Sequence, residues 1–198
     1  DVAGKFYYLY MFMDIYSRKI MGHSVHDCES MEYSSLLIEN ICKHERIEKY
    51  KLVLHSDNGG AMKGATMLAT LQKLGVVPSF SRPRVSDDNP YSESLFKTLK
   101  YCPEYPSRPF ESIESANHWV NKFVRWYNNE HLHSGIKFVT PSSRHAMKDD
   151  EILINRKKVY EKAKLINPNR WSRETRNWTK IEKVYLNYLQ DNEVDVIS

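Results

Sequence analysis

The chain has 198 residues and a mass of 23.4 kDa, with 41% apolar and 12% aromatic residues, enough for one packed domain with an extension. A mean hydropathy of −0.62 and the lack of a long apolar run exclude a membrane span. The net charge of +4 is uneven: residues 141–183 hold 12 Lys/Arg against 6 Asp/Glu, residues 184–198 hold three acids and no base, and residues 1–140 carry only +1.

Residues 5–14 are aromatic and too short for an amphipathic helix, so they read as a strand buried on both faces. Residues 19–25 read as its neighbour, with Ser17-Arg18 making the turn. Asp14 ends the first strand and is expected to serve the turn or to pair with Arg18. Residues 30–47 place Tyr33, Leu37, Ile38 and Ile41 on a helical stripe. The run Leu52-Val53-Leu54, stopped by His55-Ser56-Asp57-Asn58-Gly59-Gly60, reads as a buried strand ending in a turn. Asp57 thus stands at a strand's carboxyl end, where open α/β sheets place their chemistry. His55 shares that strand face and is read as structural.

Residues 66–74 predict a helix ended by Gly75, and residues 76–80 a short edge strand. Residues 81–88 are polar and aperiodic, a loop over the site. A helix follows, with Asn89 as N-cap, Pro90 at its first position and Pro103 stopping it. On it Glu93, Lys97 and Lys100 share one face, while Leu95, Leu99 and Cys102 face inward. Residues 112–131 form the clearest amphipathic helix, carrying Ile113, Ala116, Val120, Phe123 and Tyr127. Trp119 and Trp126 read as packing residues. His131 and His133 lack the further ligands a metal site needs.

A boundary is expected near residues 147–151, separating a core (1–147) from a basic C-terminal extension (148–198). In the extension, residues 152–165 read as a basic helix and residues 184–189 as a strand. Residues 170–178 interleave cations with Trp171 and Trp178, a pattern compatible with phosphate and base contacts. Cys28, Cys42 and Cys102 have no metal or redox spacing and read as reduced, largely buried thiols of a cytoplasmic protein.

The combination of Asp14-Ile15-Tyr16-Ser17-Arg18, His55-Ser56-Asp57-Asn58-Gly59, Ser81-Arg82-Pro83, Asp88-Asn89-Pro90-Tyr91-Ser92-Glu93, Trp126-Tyr127-Asn128-Asn129 and Thr140-Pro141 resembles the catalytic core of DDE transposases and retroviral-type integrases. The likeness runs over residues 4 to about 146. It is nearest to bacterial insertion-sequence transposases whose catalytic part is encoded in a second reading frame. The resemblance implies an α/β, ribonuclease-H-like mixed sheet flanked by helices, with the Asp57 strand central. The family's first catalytic aspartate precedes the Gly4 turn, so the first strand is expected to be absent or partial and one side of residues 6–13 poorly covered. It further implies metal-dependent DNA strand cleavage and transfer, with Asp57 and Glu93 as catalytic and metal-holding carboxylates. The cofactor would be Mg²⁺ or Mn²⁺, and DNA (transposon ends and target) the partner of a homo-oligomer near the nucleoid, away from membranes. Lys97, Lys100, Asn58, Asn89 and Arg84 would contact DNA. The alternatives on the same fold are a nuclease without joining activity and a truncated, inactive DNA-binding remnant.

Overall fold

The computed structural model describes residues 6–82 and 88–186. In chain order they form β1 (Tyr8–Met13), β2 (Ile20–His26), α1 (Met31–His44), β3 (Val53–Ser56), α2 (Gly60–Lys63), α3 (Ala65–Leu74), β4 (Val77–Phe80), α4 (Pro90–Lys100), α5 (Ile113–Asn129), α6 (Pro141–His145) and α7 (Asp149–Ile166). Single 3-10 turns lie at Ser134–Ile136 and Pro168–Arg170. Two compact units result. One holds Met21–Trp119 with the described residues up to Phe12 and from Tyr185; the other holds Met13–Ile20 and Val120–Val184. No described helix is long and apolar enough to cross a membrane.

The first unit is built on helix α1 and the β3–α3–β4 segment. Ser30 caps α1 by accepting the Glu32 N–H, and Glu32 near the start with Lys43 and His44 near the end complements the helix dipole. Helix α3 stops at Gly75, whose φ of 68° is left-handed and costs glycine nothing. The chain then returns as β4, parallel to β3 with Val53 opposite Val77 and Ser56 opposite Phe80. A core of Ile38, Cys42, Met67, Leu71 and Val76 is sealed by Phe12, Leu52, Leu54 and Leu74. Each such buried side chain contributes about 1.5–3 kcal/mol of apolar transfer.

The elements follow the expected order, but the sheet differs from a single one with the Asp57 strand at its centre. Among the described residues, β1 pairs with β2 and β3 with β4, as two separate two-stranded sheets. Strand β3 therefore has one strand neighbour, and Val53 at its start is exposed. Strand β1 is not buried on both faces; all its residues are half-buried or exposed. Cys28 is likewise exposed, in the turn after β2, while Cys42 is buried.

In the second unit, Ile136, Val139, Leu153 and Trp178 form the core, with Phe138, Ile152 and Tyr160 packed against it. The segment after α7 lies extended rather than as a strand over residues 184–186; the rest of that expected strand falls outside the described residues. Its tryptophans are packing residues, not free platforms: Trp178 is buried beneath the guanidinium groups of Arg156 and Arg176, and Trp171 meets the Tyr160 ring edge-on. Asp14 serves its turn, accepting the N–H groups of Tyr16 and Ser17 and the Ser17 hydroxyl. The His145 Nδ1 lies 3.4 Å from the Asp14 Oδ2. Burial opposes ionisation of Asp14, yet the Ser17 and Tyr16 hydrogen bonds outweigh it and hold the carboxyl below its ordinary value.

Candidate active site

Asp57 is the first residue beyond β3. Its Oδ1 accepts the Gly59 N–H at 3.0 Å, the local turn that Asp-x-Gly favours. A side chain at position 59 would crowd that oxygen, since a Cβ there would lie 3.1 Å from it. Asn58 turns its amide to the Ser81 carbonyl at 3.0 Å, and the Ser81 N–H reaches the Ser56 carbonyl at 3.0 Å. The ends of the parallel strands are thereby stitched together, and Asp57 is left exposed beside them.

Glu93 lies in the first turn of α4, exposed, with Leu95 and Leu99 buried on the other side. Pro90 occupies the start of the helix as the sequence predicts. Asn89 stands at the cap position, but its side chain makes no capping bond. Lys97 and Lys100 are exposed on the Glu93 face. Among the described residues neither Asp57 nor Glu93 forms an ion pair, although Lys97 is one turn from Glu93. Arg84 lies outside the described residues.

His55 and Asp88 tie these two elements. His55 Nδ1 is 3.0 Å from the Ser79 hydroxyl, and its Nε2 is 3.0 Å from the Asp88 carbonyl oxygen. A carbonyl only accepts, so Nε2 carries the proton, and in the neutral ring Nδ1 accepts from Ser79. Asp88 itself is only 2% exposed. Its carboxylate receives the Arg82 N–H at 2.6 Å and a two-pronged guanidinium contact, Nη2 at 2.8 Å and Nε at 3.0 Å. Those Arg82 bonds hold the Asp88 carboxyl down to about 2. Residues 82 and 88 are thus clasped, two residues before α4 starts.

Two family models described as "Integrase core domain" match the chain, one over residues 1–86 and one over residues 74–141. Residues 1–141 thus match integrase core domains. The transposase for insertion sequence element IS904 of Lactococcus lactis is 29% identical over 135 residues, covering 68% of this chain and 53% of that protein. An uncharacterized transposase-like protein of Haemophilus influenzae is 25% identical over 134 residues, covering 68% of this chain and 61% of that protein. The chain therefore spans little more than half the length of these curated relatives. The catalytic core domain of BIV integrase superposes with a TM-score of 0.53 at 18% identity, covering 71% of this chain and 86% of that one. This integrase core thus has the expected ribonuclease-H-like architecture.

Set against the sequence, the structure puts Asp57 and Glu93 on the exposed ends of elements joined through His55, with Lys97 and Lys100 continuing outward along α4. Among the described residues no three His, Cys, Asp or Glu side chains gather as a metal site. Exposed carboxylates such as those of Asp57 and Glu93 are the ligand type of a hard cation such as Mg²⁺, which keeps several waters and takes few protein ligands. The Arg82–Asp88 clasp was missed in the sequence. Its sequence signal is an arginine six residues before an aspartate, within the Ser81-Arg82-Pro83 and Asp88-Asn89-Pro90 motifs.

Proposed function

We propose that this integrase core performs the strand cleavage and strand transfer of a DNA transposase, with Asp57 and Glu93 holding divalent metal. The observation that carries the reading is the state of these two carboxylates: both exposed, neither paired with a cation among the described residues, one just beyond β3 and one in the first turn of α4, whose approach His55 bonds. Bound Mg²⁺ or Mn²⁺ would stabilise charge on the attacking and leaving oxygens of a phosphodiester. Lys97 and Lys100 would hold phosphates beside the pair, and Asn58, Asn89 and Arg84 would add contacts to the strand. Joining would exchange one 3′-hydroxyl for another: the attacking oxygen bonds to phosphorus as its proton passes to water, and the 3′-oxygen of the target strand leaves, taking a proton from water to become a 3′-hydroxyl. The transposon ends and target DNA would be the substrates of a homo-oligomer, with the basic residues 148–198 as an added DNA-contacting extension.

The test uses pre-cut DNA ends, target DNA and Mn²⁺. Asp57→Asn and Glu93→Gln should each abolish joining while folding and metal-free DNA binding persist, because the amides keep shape and lose the charge that holds the cation. Cleavage without any joining would point to a nuclease instead. Full joining by Asp57→Asn would refute the assignment.

A further inference from the structure

We propose that His55 is a positioning residue: it sets the placement of Glu93 relative to Asp57, with the Arg82–Asp88 clasp as its anchor. The inference rests on the reading of Asp57 and Glu93 as a metal-holding pair.

The geometry is a short, stiff path with one side chain at its centre. On one side, His55 precedes Asp57 by two residues of paired strand, and Asp57 is fixed by the Gly59 N–H at 3.0 Å. On the other, the His55 Nε2–H donates to the Asp88 carbonyl at 3.0 Å. From that carbonyl the chain runs through Asn89 and Pro90 directly into the turn that carries Glu93, closed by the Glu93 N–H on the Asn89 carbonyl at 3.3 Å. Proline restricts the φ of that path.

Two further features make the imidazole important. Helix α4 has no side-chain cap from Asn89, so its first turn lacks the usual local anchor. The Asp88 side chain is fully engaged by Arg82, which fixes the residue whose carbonyl His55 holds. Ser79 on β4 fills the other ring nitrogen at 3.0 Å and helps orient the ring, whose tautomer the Asp88 carbonyl sets. The imidazole therefore joins β3, β4 and the approach to α4 at once. A purely packing histidine needs no such match of donor and acceptor at both nitrogens. Residues that orient metal ligands without touching the metal change affinity by roughly 10–100-fold when lost.

The experiment measures Mn²⁺ binding to the whole chain by electron paramagnetic resonance, with metal-free DNA binding and thermal melting in parallel. His55→Ala should raise the Mn²⁺ Kd roughly tenfold or more, with metal-free DNA affinity changed less than about twofold. His55→Gln, whose amide N–H can reach toward the Asp88 carbonyl, should recover part of the loss. Should His55→Ala fail to fold, Ser79→Ala removes only the bond that orients the ring, and should still weaken Mn²⁺ binding severalfold. Unchanged Mn²⁺ affinity in the folded variant, with binding lost in Asp57→Asn, would overturn the positioning role and leave the metal reading standing. Unchanged Mn²⁺ affinity in Asp57→Asn would instead overturn the metal reading, and the positioning role with it.

Discussion

The Arg144 guanidinium lies 2.9 Å from the Asp149 carboxylate, and both side chains are completely buried. Arg144 also donates to the carbonyls of Tyr16 and Ile181 and lies over the Tyr16 ring, 4.3 Å from its centroid. One cation thus joins the turn after β1, helix α7 and the extended segment after it.

Arg144→Ala should therefore destabilise the protein by about 3–5 kcal/mol, because it leaves a buried carboxylate and two carbonyls without their donor. Lys180, 3.0 Å from Asp149, keeps the loss toward the lower end. Arg144→Met with Asp149→Leu should recover part of it by removing the stranded charge. Urea unfolding of both variants decides this; a loss below about 1 kcal/mol in Arg144→Ala would contradict the assigned role.

Lys97→Ala and Lys100→Ala should each weaken DNA binding to a similar degree on unrelated sequences, since an exposed ammonium reads phosphate charge. Each should lower the slope of log K against log salt by about one. A salt titration on two unrelated duplexes suffices, and a loss confined to one of them would contradict phosphate contact.

Burial, reinforced by the nearby Arg18 guanidinium and His131, pushes the His133 imidazole down to about 4. The fold holds His133 neutral, whereas the unfolded chain protonates it near its ordinary value of about 6.5. Its contribution to stability is complete above that ordinary value and is lost as pH falls toward about 4. Melting temperatures should drop across this window, before the depressed carboxyls of Asp14 and Asp88 protonate. His133→Asn should flatten the drop, its amide oxygen standing in for the Nδ1 that accepts the Gly135 N–H.

Gly75→Ala should cost about 2 kcal/mol through left-handed strain and crowding. A Cβ there would lie 2.7 Å from the Lys49 Cβ and 3.1 Å from its Cα, so backbone must yield. Thermal unfolding should show an earlier melt. A neutral effect would mean residues 49–50 can shift freely.

The parts of this site readable from sequence are those set by neighbouring residues. Asp57 at a strand end, Pro90 at a helix start and the Glu93–Lys97–Lys100 face all follow from local turn chemistry and helical period. What escaped depends on partners distant in the chain. His55 reads as structural from its place on the strand, but the partner it bonds, the Asp88 carbonyl 33 positions on, leaves no local signal. Asp14 serves the turn that its local sequence predicts, while its contact with His145, 131 residues away, has no local signal. Tryptophans interleaved with arginines look alike whether the rings stack on bases or on their own guanidinium groups. Only the packing of Trp178 decides between them.

The amide of Asn128 bonds the backbone of Ile20 twice: its Oδ1 accepts the Ile20 N–H at 2.9 Å, and its Nδ2 donates to the Ile20 carbonyl at 3.0 Å. The two residues are 108 positions apart. During synthesis at roughly 5–20 residues per second, Ile20 is added to the chain about 5–20 s before its partner exists. Nascent chains halted before residue 128 should thus keep the Ile20 amide open to hydrogen exchange, and the order of translation becomes the order in which this protein acquires its second unit.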